Sequence, residues 1–225
     1  MEIGFRWDFA YGILPELLWA TLNTLLAAVI GYLIALIIGL FFLFCQKTHY
    51  KIINFVTREV VEFIRSTPLL IQLFFVYFVF PQFGVTMSAW VCGMLTIGIH
   101  FGTYLCEVYR GALEGVPTTQ WEACKALNFS TVYSYRKIIL PQALPIAIPG
   151  MGNYLVGIFK ETPLLSTIGV AELFHAATAV GGFNYRYLEP YTLVGVIFLF
   201  LSVPAAIWVR HLEKTVNKAQ GKFSK

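Results

Sequence analysis

His100, Tyr104 and Glu107 recur at i, i+4 and i+7, the spacing that puts side chains on one face of a helix. An imidazole, a phenol and a carboxylate in one row offer both donors and acceptors to a polar solute. The surrounding stretch, 87–109, is otherwise apolar. An ionisable group inside such a stretch is costly and faces the interior of a helix bundle or a wet cavity. Two readings stand: a polar wall along a solute route, or an interhelical hydrogen bond by His100 with a Glu107–Arg110 pair at the boundary. Lys160, Glu161 and Thr162 follow an uncharged stretch and precede Pro163. Proline removes a backbone donor, so freed backbone groups would lie beside two opposite charges. That chemistry suits a zwitterionic solute, and the alternative is an ion pair within the chain. Arg65 precedes Thr67-Pro68 and reads as an interfacial arginine reaching for headgroups, with Pro68 starting or kinking a helix. Glu172 and His175, at i and i+3, read as part of a surface helix rather than a metal site. No His-rich metal cluster and no nucleophile–base arrangement is present, so a membrane enzyme ranks last among the functions considered.

These groups must be positioned by helices that cross a bilayer. The chain has 225 residues, of which 58% are hydrophobic and 12% charged. Soluble domains carry about 25% charged residues, so the apolar excess must face lipid or partner subunits. Uncharged runs cover Leu17 to Gln46, Ser66 to Ile99, Ile138 to Phe159 and Pro190 to Val209. A span needs about 20 apolar residues. The second run is too long for one span and contains the turn Pro81-Gln82-Phe83-Gly84. Splitting it gives five spans near 17–44, 60–81, 87–109, 139–159 and 189–210. The fold class is therefore all-α, a multi-pass membrane helical bundle. Residues 1–16, with Glu2, Arg6, Asp8 and Glu16, lack the basic start and short apolar core of a cleavable signal. Cys45, Cys92, Cys106 and Cys124 form no CxxC pair and read as small buried apolar groups.

Lys and Arg set the orientation. With the N-terminus outside, the inner loops and tail hold Lys47, Lys51, Arg58, Arg110, Lys125, Arg136, Lys137, Arg210, Lys214, Lys218, Lys222 and Lys225. Only Arg6, Lys160 and Arg186 lie toward the outside, with Arg65 near the start of the second span. The net charge of +4 is thus mostly a topology signal. Nucleic-acid binding is a poor reading, because the cations are spread over separate loops.

The inner loop 111–137 is long and rich in helix formers. Thr118 or Thr119 can cap a helix, with Glu122 three residues after Thr119 as in a capping box. A helix over 120–127 ending at Asn128, which tolerates the left-handed conformation, and a second helical stretch opened by Ser130 make a helix–turn–helix. It is either a compact loop or a docking element for a cytoplasmic partner. Residues 161–188 are too polar and broken for a span, and predict a re-entrant or outer-surface pair of short helices.

The loop resembles the signature loop of permeases in ATP-binding-cassette importers: Glu-Ala-Ala, three residues, Gly, nine residues, Ile, one residue, Leu-Pro. Here the positions are Glu122, Ala123, Cys124, Asn128, Ile138, Leu140 and Pro141. Cys124 replaces the second Ala and Asn128 the Gly. Phe63 to Leu73 and Lys160 to Ser166 resemble the polar amino-acid branch of that family. His100 to Trp121, Asn153 to Ser166 and Tyr185 to Pro190 look closer still to its ectoine/hydroxyectoine permeases.

The resemblance implies a type I importer permease in a bacterial inner membrane, with the N-terminus outside and the C-terminus cytoplasmic. The transmembrane domain would run over 17–211, with the coupling loop at 111–137 and a basic cytoplasmic tail over 212–225. It implies a second permease subunit, identical or homologous, a cytoplasmic ATPase dimer and an extracytoplasmic solute-binding protein, all beside membrane lipid. The substrate would be ectoine or hydroxyectoine, or alternatively a polar amino acid. The only Gly-Lys pair, Gly221-Lys222, is followed by Phe223 and is no phosphate loop. ATP and Mg would therefore be bound by the partner ATPase, and this chain would be no enzyme. A stand-alone channel or secondary transporter is the competing class. Ion-coupled carriers usually have more spans, often as repeats, and none is visible here.

Overall fold

The structure, a computed structural model, describes residues 4–223, with side chains through 216. The side chains of Lys218, Lys222 and Lys225, which belong to the expected basic tail, lie outside the described residues. Helices make up the fold: α1 (Trp7–Gln46), α2 (Lys51–Ser66), α3 (Leu69–Phe74), α4 (Ala89–Glu114), α5 (Thr118–Ala126), α6 (Thr131–Ser134), α7 (Leu140–Glu161), α8 (Leu173–Asn184) and α9 (Leu188–Phe223). Short π-helical turns continue α3 over Phe75–Val79 and join α6 to α7 over Tyr135–Ile139, and a 3₁₀ segment follows α7 over Thr162–Ile168. No strand occurs among the described residues.

Three helices are long and apolar enough to cross a membrane: Trp7–Gln46, Ala89–Glu114 and Leu188–Val216. Two pairs bent at a short break, Lys51–Ser66 with Leu69–Phe83 by 105° and Thr131–Ile168 with Leu173–Asn184 by 46°, would bring the number to five if each were one span. On α1, Leu22, Leu26, Val29, Leu33, Ile37, Leu40 and Phe44 are all exposed at helical spacing. In water such a ridge would be costly, so it must face lipid or a partner subunit. The most apolar stretch of α4, by contrast, is mostly buried.

The expected second span, 60–81, requires correction. The chain breaks at Thr67-Pro68, where Pro68 is extended at φ −61° and ψ 137° and α3 starts at Leu69. Proline has no amide hydrogen and pushes the preceding residue out of the helical region. Residues 60–66 instead belong to α2, which carries Lys51, Arg58, Glu59, Glu62 and Arg65 and is amphipathic rather than uniformly apolar. The turn expected at 81–84 is present. A 3₁₀ turn over Phe80–Phe83 ends at Gly84, whose φ of +80° favours glycine.

Contacts group the chain into two compact units, described separately. The first comprises Met1–Ile34, Thr67–Gly98 and Leu155–Ala205, and the second Ala35–Ser66, Ile99–Tyr154 and Ala206–Lys225. The core of the first joins Ile13 and Leu17 of α1 to Leu173, Ala177 and Val180 of α8 and to Val194 and Ile197 of α9. Helix approach there depends on Gly93, where a Cβ would lie 2.7 Å from a Leu165 methyl. The core of the second joins Ala112 and Val116 to Ile139, Ala143 and Ala147. There Gly102 lets α4 meet α1, because a Cβ would lie 2.7 Å from Ile38.

In the first unit, α8 follows the 3₁₀ segment as the expected pair of short helices. Glu172 departs from its expected place on a surface helix. It is fully buried at the N-cap of α8, and its carboxylate accepts from the amides of Phe174 at 2.9 Å and His175 at 2.7 Å. Thr24 of α1 closes the site: its hydroxyl accepts from the Leu173 amide at 3.0 Å and lies 3.4 Å from the carboxylate. Glu189 is also fully buried, accepting from the Arg6 amide at 2.9 Å and from the Arg186 guanidinium. Both carboxylates therefore meet the condition for burying a charge, that it be paired or hydrogen-bonded.

Candidate functional site

The helix–turn–helix is built as the sequence proposes, with one change. α5 begins at Thr118 behind Pro117, and neither Thr118 nor Thr119 provides a side-chain cap. The capping box from Thr119 to Glu122 is therefore absent, since both residues already lie inside the helix. Pro117 takes over the start, as its missing donor costs nothing at a helix N-terminus. Asn128 ends the turn at φ +52°, and the Phe129 amide donates to the Cys124 carbonyl at 3.0 Å. Ser130 caps α6 by accepting from the Tyr133 amide.

The inward face of α5 is fixed by packing. Cys124 is buried, and the Trp121 ring meets Tyr135 edge-on at 5.3 Å and packs on the core at Ile139. Ile138 is partly buried on the same core. Glu122, Ala123 and Asn128 are exposed, as are Leu140 and Pro141 at the start of α7. One face of α5 thus anchors the element, and the other presents an acidic side chain and a small one.

The second polar group gathers on α4. His100 is buried, with its ring 5.3 Å from Tyr104 and 5.3 Å from Phe101. Tyr104 is 5.5 Å from Tyr154 of α7. The Arg65 guanidinium carbon lies 5.1 Å over the Tyr104 ring, a cation–π arrangement. The Tyr104 hydroxyl is 3.4 Å from the Arg65 carbonyl. Arg65 therefore turns into the unit, toward aromatic faces, instead of only reaching for headgroups. Its Nε is buried without a hydrogen-bond partner among the described residues. Glu107 pairs with Arg110, whose Nε donates at 3.1 Å and whose guanidinium also reaches Glu114 at 3.1 Å. The Glu107–Arg110 pair of the second reading is thus present. A cavity of about 480 Å³ opens beside this row, lined by Arg58, Glu62, Arg65, Glu107, Arg110 and Glu114 among others.

Lys160, Glu161 and Thr162 belong to the first unit. Thr162 is buried and donates to the Phe159 carbonyl at 2.7 Å. Lys160 and Glu161 are exposed and form no ion pair with each other. Sequence reasoning missed Tyr154. The glycines at 150 and 152 were its available signal, because they bring α7 close to its neighbours: a Cβ on Gly150 would lie 3.0 Å from Val108.

Residues 31–218 match the family described as the binding-protein-dependent transport system inner membrane component. The chain belongs to this family. As an inner membrane transport component it is a permease subunit of the ATP-binding-cassette importer type, not itself an enzyme. It is 38% identical over 97% of both chains to a probable amino-acid ABC transporter permease protein, y4tG, of Sinorhizobium fredii. It is 32% identical to the probable amino-acid permease protein YxeN of Bacillus subtilis, over 94% of this chain and 96% of that one. Among solved structures it resembles a chain of an amino acid ABC transporter crystallised with histidines, at a TM-score of 0.89 and 27% identity, covering 95% of this permease and all of that chain.

Proposed function

We propose that this permease forms the membrane pathway of an importer for polar amino acids. The observation that carries the reading is the fold likeness to an amino acid transporter over nearly the whole chain, at a TM-score of 0.89. The names of the relatives above point the same way. The narrower ectoine reading rests on three short stretches of sequence, and the relatives' names support amino acids instead. Buried His100 and half-buried Tyr104 with Arg65 supply an imidazole, a ring hydroxyl and a stacked cation, groups suited to a passing carboxylate. Glu122 and Ala123 on the exposed face of α5 would meet the cytoplasmic ATPase, which supplies ATP chemistry. Asn128, Leu140 and Pro141 would hold that face in place. A second permease subunit and an extracytoplasmic solute-binding protein complete the assembly, with the N-terminus outside.

The test is uptake of a radiolabelled amino-acid panel and of ectoine, in cells with the whole system and in a strain lacking only this chain. Loss of one or more polar amino acids with ectoine uptake intact is the expected result. Loss of ectoine uptake alone would restore the narrower reading, and unchanged uptake of both would overturn the substrate class.

A further inference from the structure

The helix α2 has an unexplained face. Ile52, Val56, Val60 and Phe63 recur at i, i+4, i+8 and i+11, and all are exposed: Ile52 at 79% and Phe63 at 70%. Ile53 widens the row. The ridge is about 16 Å long at 1.5 Å rise per residue. The opposite side is committed elsewhere. Val61 is buried, and Arg58, Glu62 and Arg65 line the charged cavity. With five charges in 16 residues, α2 is not a span by itself.

Its position says what covers the ridge. α2 starts just after α1 ends at Gln46, and Asn54 donates its side-chain amide to the Gln46 carbonyl. The last turns of α1 expose Ile37, Phe41 and Phe44, at the end of its exposed apolar ridge. The exposed apolar face of α2 therefore follows in the chain directly on the exposed apolar end of a membrane-spanning helix. Exposed Tyr50 and Lys51 sit at its leading end, and that pairing suits the headgroup level. A strongly two-sided helix with low overall hydrophobicity and a charged opposite face is the signature of a helix lying in the membrane–water boundary.

We propose that α2 is such an interfacial helix, with Ile52, Val56, Val60 and Phe63 inserted among phospholipid acyl chains and not held by a second protein. The test places the photo-crosslinking residue benzoyl-phenylalanine at 52, 56 or 63 of the permease, in the assembled transporter in native membranes, with position 62 as the cavity-facing control. Phe63 is closest in shape to the probe, so that variant keeps the test open if substitution at Val56 disturbs folding. Expected on illumination are adducts carrying the mass of one phospholipid at 52, 56 and 63, several-fold above position 62. Cross-linked permease pairs or permease–ATPase products at 56 and 63, or no lipid adduct above the control, would overturn the proposal.

Discussion

Glu172 has a task in this fold that its neighbours in sequence do not announce. One carboxylate satisfies two amides at the start of α8, and Thr24 from α1 satisfies a third. Removing it leaves buried donors unpaired, at about 1–3 kcal/mol for each such group, in addition to the lost cap at about 1 kcal/mol. With two amides affected, Glu172→Ala should therefore destabilise the permease by about 3–7 kcal/mol, the range these terms span. The thermal unfolding midpoint of the purified protein in detergent should drop by several degrees. Glu172→Gln keeps an acceptor oxygen and should lose less than half as much. Equal midpoints for Glu172→Ala and the native chain would show that water replaces the carboxylate. In the sequence the residue is read from His175 at i+3, which suggests a surface helix. Its carboxylate caps the local amides instead, and the residue that closes the site over it, Thr24, lies 148 residues away on α1, where local spacing does not reach.

The turn between α5 and α6 rests on a single backbone conformation. Asn128 stands at φ +52°, where an ordinary L-residue costs roughly 1–2 kcal/mol. Asn128→Gly should leave the element intact or slightly firmer, and Asn128→Val should loosen it. Hydrogen exchange of the α5 and α6 amides measures this directly: protection should persist in the glycine variant and fall about tenfold in the valine variant, the factor for 1.4 kcal/mol. Equal protection in both would mean that packing at Trp121 and Cys124 fixes the element without the turn. This element was legible because its parts are local: Ser130 as cap, Asn128 as stop, and a fixed spacing to Leu140-Pro141. The second span was less so. Counting uncharged residues marks where an apolar run begins, at Ser66, and a window extended back to 60 includes part of α2. Pro68 marked the boundary, and the amphipathic period of α2 was hidden by its five charges. Capping by Thr119 failed for a similar reason, because Pro117 starts the helix earlier than the hydroxyls could.

At the scale of the whole permease, the pattern of exposure is that of a subunit made for a membrane and for partners. α1 and α9 leave most of their apolar windows uncovered, while α4 buries its own. The helix carrying His100 and Tyr104 is thus the enclosed one, and an ionisable group on it faces protein rather than lipid. Which end of the chain faces the cytoplasm is a separate matter, on which charge makes a prediction. Twelve Lys and Arg fall in the two loops and tail assigned to the inside and three toward the outside, and basic residues are retained on the cytoplasmic side. Labelling decides it. Tyr185 is 92% exposed between α8 and α9, and Val132 is 74% exposed on α6. Cysteine placed at either should react freely with a maleimide that cannot cross membranes. Cys92, Cys106 and Cys124 are buried and Cys45 is half-buried, so the native chain sets a low background. Tyr185→Cys should label in intact cells at several times that background. Val132→Cys should label only after the inner membrane is permeabilised. The reverse pattern would invert the orientation, and it would put α5, with Glu122 on its exposed face, on the side where no ATPase could reach it.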